Sequence, residues 1–334
     1  ALGTGTVTMA GSTTLKWGAN LTLANPFIFN GTTTINPAGF TATLSDVLSG
    51  QGGLNIVDNL SLGTVGDVAN TYSGGTSISA NKTVTVNKSG ALGTGIVTMA
   101  DNTTLQFGAS ATIPNAIAVT GNTATINTAG FANILGGAIS QALNTVTKLI
   151  IKGGNILTMN GIASHAGGTE VQGGTSLKAG IANLFGSSNK SLTLVDAGST
   201  FDMAVGSQTL NNLNGEANTI INLEGNTLAL IPVNDSIFNG TIQGNGGKII
   251  KQGSKVLTLG GNNSFSGGLE LQGGGLRATS STALGTGPIT LYDQTTLNIQ
   301  VPLSLIGDNS ILFANGLATL QIDSPTTINT KTSG

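Results

Sequence analysis

The chain contains no cysteine. Disulfides and thiolate metal sites are therefore both excluded. Charge is scarce as well: Asp, Glu, Lys and Arg make up 8% of the 334 residues, against roughly 25% in an average soluble protein. There is one histidine, His165, and one arginine, Arg277. The net charge is −2 and no basic cluster occurs, so the electrostatic footprint of a nucleic-acid binder is missing. No apolar run approaches the length of a membrane helix. The first residues, ALGTGTVTM, lack the charged start and apolar core of a signal peptide. Glu, Lys and Arg, the usual helix formers, are few.

Glycine, threonine and asparagine are abundant instead, with 51 glycines against 7 prolines. The glycines follow no collagen period, and apolar residues are spread evenly along the chain, so neither collagen nor simple disorder fits. Val, Ile and Thr are plentiful, which predicts an all-β chain.

The stretch Asn70 to Gly95, NTYSGGTSISANKTVTVNKSGALGTG, recurs. Asn262 to Gly287 reads NNSFSGGLELQGGGLRATSSTALGTG, and Ile162 to Gly180 is a worn copy, IASHAGGTEVQGGTSLKAG. The shared skeleton is a Gly-Gly corner, an alternating run, a second turn and a second run. The corner glycines are Gly74 and Gly75, Gly167 and Gly168, Gly267 and Gly268. A longer repeat overlies this one. Ala1 to Ala19 and Ala91 to Ala109 are identical at 14 of 19 positions, 90 residues apart. GTTTINPAGFTATL from Gly31 returns as GNTATINTAGFANIL from Gly121.

Within each block the period is 2, as in Thr83-Val84-Thr85-Val86. Such runs predict strands of about three to six residues, ended by Gly, Asn or Ser corners. The best helical candidate, Ala138 to Lys152, also reads better as strand. A unit this small cannot bury a core alone, but stacked copies can. The prediction is a right-handed parallel β-helix over 1–334, with repeat blocks of about 1–90, 91–180 and 181–334. Ninety residues would be about four coils of roughly 22, giving about 15 coils in all. Apolar residues should then form internal ladders. Phe40 and Phe131 are expected to be buried, and Asn36 and Asn127 to stack.

Asp235 to Gly287 closely resembles the passenger-associated transport repeat, also called the autotransporter-associated β-strand repeat. The residues that carry the resemblance are Asp235-Ser236-Ile237-Phe238-Asn239-Gly240, Gly246-Gly247-Lys248-Ile249-Ile250-Lys251-Gln252-Gly253 and Leu257-Thr258-Leu259. Asn263-Ser264-Phe265-Ser266-Gly267-Gly268 and Ala283-Leu284-Gly285-Thr286-Gly287 complete it. Two copies depart: Asp58-Asn59-Leu60 stands where Lys-x-Gly belongs, and Ala166 replaces Ser before Gly167. The resemblance implies a bacterial autotransporter passenger, exported across the outer membrane to the cell surface or beyond. Its implied partner is its own C-terminal outer-membrane barrel. The closing INTKTSG has no alternating apolar strand, so that barrel is not expected in this sequence.

Catalysis finds little support. A triad or a His-metal site would rest on His165 alone, which reads as a corner residue in the place of Tyr72 and Phe265. The closest acid pairs, Asp196 with Asp202 and Glu216 with Glu224, are spaced too narrowly to meet by stacking. No calcium-binding nonapeptide occurs, and Gly244 to Lys248 is a turn, not a phosphate loop. The threonine rows around Thr4, Thr6 and Thr8 resemble an ice-binding face, but they lapse at Ile96 and Pro288. Asn-x-Ser/Thr triplets such as Asn30-Gly31-Thr32 are what an Asn/Thr-rich chain contains by chance. The expectation is a non-enzymatic structural and display element with no metal and no cofactor. An enzyme or toxin passenger with its active site elsewhere is the alternative. A host-surface protein or glycan, or end-to-end pairing of open β edges, is the partner class this reading admits.

Overall fold

The computed structural model describes residues 2–64, 68–143, 145–186, 191–302, 310–314 and 316–324. Among them there is no helix, and no strand exceeds five residues. The strands pair in parallel, each with the strand one turn before and one turn after it. The chain is thus a β-solenoid, in which two compact units, Ala1–Gly168 and Thr169–Gly334, are distinguished. The helical candidate resolves into two strands, Ile139–Gln141 and Lys148–Lys152.

In the first unit each turn carries up to three short strands. One sheet runs through Thr14–Lys16, Thr33–Asn36, Leu54–Ile56, Thr76–Ile78, Val97–Met99, Ile117–Val119, Ile139–Gln141 and Ala163–Ser164. A second runs through Leu21–Leu23, Ala42–Leu44, Leu60–Leu62, Thr83–Val86, Thr103–Phe107, Thr123–Asn127 and Lys148–Lys152. The third side begins with Val7–Met9, Phe27–Phe29 and Leu48–Ser49. In the second unit, Leu192–Leu194, Leu213–Gly215, Ser236–Phe238, Val256–Leu259 and Gly275–Ala278 stack along one side. Gln208–Leu210, Thr227–Leu230, Lys248–Lys251, Leu269–Leu271 and Ile289–Leu291 stack along another.

Alternation puts every second side chain inside, and the parallel register places like on like. Leu23, Leu44, Leu62, Val86 and Phe107 form one inward column. Ile35, Ile56, Ile78, Met99 and Val119 form another. Each such side chain, fully withdrawn from water, stabilises by about 1.5–3 kcal/mol.

The 90-residue repeat is not a whole number of turns. Thr14 stacks on Thr34, Asn55, Ser77 and Thr98, so four turns take 84 residues, 98 less 14. Thr8, the repeat partner of Thr98, lies one strand earlier, in register with Ile28 and Ser49. The repeat is therefore four turns and one side. Turn length varies from 18 residues at Thr43–Ser61 to 25 at Thr123–Lys148.

This displaced phase corrects two expectations. Asn36 and Asn127 fall on different sheets and do not stack on each other. Each instead turns back on its own corner, accepting from the N–H of Ala38 at 2.9 Å and of Ala129 at 3.0 Å. Phe40 and Phe131 are not in the core; 38% and 36% of their surface is exposed. Ala38 and Gly39, like Ala129 and Gly130, have positive φ, and the chain leaves that turn with the ring on the outside.

Candidate functional site

The Gly-Gly corners give this chain its most repetitive geometry, and each glycine is required for a separate reason. The first lies against the backbone of the turn below. A Cβ on Gly74 would stand 2.5 Å from Gly52 and Gly53, and one on Gly167 2.5 Å from Thr147, and Gly267 is closer still to Gly246. The second has φ of 84° at Gly75, 79° at Gly168 and 96° at Gly268, a region side chains disfavour. Its carbonyl accepts the first ladder bond of the previous turn: Leu54 N–H to Gly75 at 2.9 Å, Leu149 to Gly168 at 3.0 Å, Ile249 to Gly268 at 3.0 Å.

Before the glycines stands a buried asparagine. Asn70 Oδ1 accepts from Leu48 N–H at 3.0 Å, and its Nδ2 donates to Ala91 O at 2.6 Å. Asn263 repeats this, accepting from Ile242 N–H at 2.7 Å and donating to Ala283 O at 2.6 Å. The side-chain amide stands in for a peptide unit and carries the ladder around a corner where no strand forms. In the worn copy Ala163 holds this position, and there the backbone itself is a strand, paired with Ile139–Gln141. The Asn263→Ala variant should lose about 1–3 kcal/mol by orphaning two buried backbone groups. Asn263→Asp, which keeps the acceptor but sets an oxygen against Ala283 O, should lose at least as much. Urea midpoints would show the order, and equal midpoints for all three chains would rule out the ladder role.

The next residue pointing inward is aromatic. Tyr72 and Phe265 are fully buried. Tyr72 shares a 2.6 Å hydrogen bond with Thr76, and the later copy replaces both, having Phe265 and Leu269. Burial pushes the Tyr72 hydroxyl far above its ordinary pKa. Above each ring lies the Ala-Leu-Gly-Thr-Gly loop of the next turn. A Cβ on Gly93 or Gly285 would meet the ring of Tyr72 or Phe265 at 2.8 Å. Asparagines secure these loops from the turn beyond: Asn25 donates to Gly3 O and Gly5 O, Asn115 to Gly93 O and Gly95 O.

His165 occupies the aromatic corner as expected, but it is buried, with 3% of its surface exposed. Burial lowers its pKa to about 4, against a hydrogen bond with the Gly168 backbone that favours the proton. At neutral pH it is an uncharged core residue. The sequence reading missed a second buried group, Lys251. It lies in a column between Leu230 and Leu271, and its ammonium donates to Gln252 O at 2.8 Å, Gly273 O at 2.9 Å and Gly253 O at 3.2 Å. Burial draws its pKa down to about 8, partly offset by Asp235. The three carbonyls suit the protonated form, so Lys251 closes its corner as a cation. Parity exposes it: if Ile249 points in, so does Lys251.

The acids stack across turns, in pairs other than those considered from the sequence. The Asp196 N–H donates to the Glu216 carboxylate at 3.0 Å. Asp202, above Lys178 and below Asn222, is held above the ordinary carboxylate range by burial and by nearby Glu224, against the pull of Lys178. Asp58 meets Lys82 at 3.0 Å, and Glu270 meets Lys248. Asp58–Lys82 and Glu270–Lys248 are single ion pairs, while Asp202 is influenced by both Lys178 and Glu224. No group of three or more His, Cys, Asp or Glu could hold a metal among the described residues. Gly244 to Lys248 is a turn, closed by Gly247 N–H to Gly244 O at 3.1 Å. Thr8 shares its outward column with Ile28 and Ser49, so no continuous threonine row runs there.

Three segments match the family model of the passenger-associated-transport-repeat: residues 64–80, 149–175 and 249–278. Each contains one Gly-Gly corner. The Asp235–Gly240 opening and the Ala283–Gly287 loop fall outside the matched segments. No curated protein and no solved structure matches the chain. With a matched repeat at each of the corners of Gly74, Gly167 and Gly267, the chain carries passenger-associated transport repeats, and these support an autotransporter passenger domain.

Proposed function

We propose that this chain is the structural, surface-displayed part of an autotransporter, serving export and presentation and not catalysis. The observation that carries the reading is the coincidence of the three matched segments with corners whose polar groups are spent on the ladder between turns. Each completed turn offers an open strand edge to the next, so folding proceeds along the axis as chain emerges, and a folded turn resists sliding back. The place of action is the outer surface of the cell. The acids and the buried His165 brace corners in place of forming an acid–base pair.

The test is a fusion. Residues 1–334, placed between a secretion signal and an outer-membrane barrel, should reach the cell surface and become accessible to external protease. Replacing Gly267 and Gly268 with valines, which breaks the geometry of one matched corner, should cut surface display several-fold. Undiminished display of that variant would refute a role in export. Hydrolysis of a polysaccharide or peptide by the purified chain, lost on Asp202→Asn, would refute the non-catalytic reading.

A further inference from the structure

The Phe40 corner has features that the ladder does not explain. Its ring is one of few aromatic groups left outside the core. Beside it, within the first unit, opens a concavity of about 300 Å³ across three successive turns. Asn59, Ser61, Thr83 and Thr85 line it, over a floor of buried Ala42 and Leu60. None of the lining residues is charged. Ser61 and Thr85 stand in register on neighbouring strands. Among the described residues, the hydroxyls of Ser61, Thr83 and Thr85 bond to no protein group. Asn59 Oδ1 is held by the Thr83 N–H at 2.8 Å, which leaves the amide NH₂ to donate elsewhere.

The corner is also braced. The Asp58 carboxylate accepts from Gly39 N–H at 2.6 Å, from Asn59 N–H at 2.9 Å and from Lys82 at 3.0 Å. Charge that could have faced the groove is spent on holding its rim. Phe40 N–H donates to Pro37 O at 3.1 Å. The ring therefore stands on a fixed support, the condition under which a small contact surface binds without a large ordering cost.

We propose that this groove is a subsite for a neutral sugar residue. A sugar ring has an apolar C–H face, which fits the face of Phe40, and a rim of hydroxyls, which fits hydroxyl and amide partners acting as both donors and acceptors. A charged ligand would find no counter-ion in the lining, and the apolar floor is too small for a protein anchor. The biological sense of such a subsite rests on the surface display proposed above, but binding by the purified chain does not depend on export. A single sugar should bind with Kd in the millimolar range.

The experiment is a ¹H–¹⁵N titration of the purified chain with methyl glycosides of glucose, galactose, mannose and N-acetylglucosamine, and with galacturonate. At least one neutral glycoside should shift the amides of residues 39–42, 59–61 and 83–85. Phe40→Ala should weaken that binding about tenfold and Thr85→Glu should weaken it as well, while Phe131→Ala, at the other Ala-Gly-Phe corner, should not. Because Phe40 and Thr85 point outward, the thermal midpoints should be nearly unchanged. The proposal fails if no neutral glycoside moves those amides, if galacturonate alone does, or if Phe40→Ala binds as tightly as the native chain. A chain that bound glycoside but failed to reach the surface would keep the subsite and overturn the display reading alone.

Discussion

Phe265→Ala should lower the unfolding free energy by about 3–5 kcal/mol, the usual cost of emptying an aromatic from a core, whereas Phe131→Ala should cost less than about 1 kcal/mol. Both rings follow small residues at a corner, and the sequence alone gives them equal claims to the core. The structure separates them. Phe265 is fully enclosed, under the Gly285 loop that has no Cβ because the ring fills that space. Phe131 is 36% exposed and leaves its corner after a positive-φ Ala-Gly pair. Urea unfolding of the two variants under one condition would decide the matter. Equal losses, or a larger loss at Phe131, would mean that the corner points its rings the other way.

Acid should destabilise the chain through His165 before ordinary carboxylates respond. The imidazole titrates near 4 in the fold and near 6.5 when exposed. Between those values the unfolded chain binds the additional proton, so stability is complete above about pH 6.5 and falls as the pH drops toward 4. The loss from this one group approaches about 3 kcal/mol. His165→Phe, the residue of the Asn263 copy, should flatten that part of the profile. Asp58 and Glu270 are held below their usual range by Lys82 and Lys248. They will add a loss at lower pH in both chains, because a depressed carboxylate stabilises only while ionised. Thermal midpoints from pH 7.5 to 4 would separate the two. Parallel profiles for native and His165→Phe chains would sink the assignment.

Much of the fold was legible because its rules are periodic. Alternation in Thr83–Val86 or Thr103–Phe107 states which side chains point in, and recurrence states what they stack on. The Gly-Gly corners were legible for the same reason, since close backbone approach and positive φ admit few other residues. Asparagine was harder. Asn70 and Asn263 look like turn formers but act as side-chain peptide groups between turns, Asn115 donates to the carbonyls of the neighbouring loop, and nothing local distinguishes them from Asn36, which only closes its own corner. The phase of the long repeat was hidden too, because an offset of 90 residues suits four long turns as well as four shorter ones and a side. That ambiguity put Phe40 in the core and Asn36 in a stack. Lys251 was open to discovery by parity, but charge argued for the surface, and only the three carbonyls show why it is tolerated inside.

The displaced phase has a consequence for how such a chain can change over generations. Duplicated segments here were not required to return to the same side of the coil. The segment that begins Val7–Met9 and Thr14–Lys16 reappears one side further on as Val97–Met99 and Thr103–Phe107, with its alternation intact. The displacement recorded here is six residues beyond four whole turns, 90 less 84, and not a whole turn. An insertion of that size would preserve every inward and outward position of its neighbours while re-aiming all that follows by a third of a revolution. A lineage under pressure to alter the surface it shows could do so by slippage within repeated DNA, without inventing a new loop.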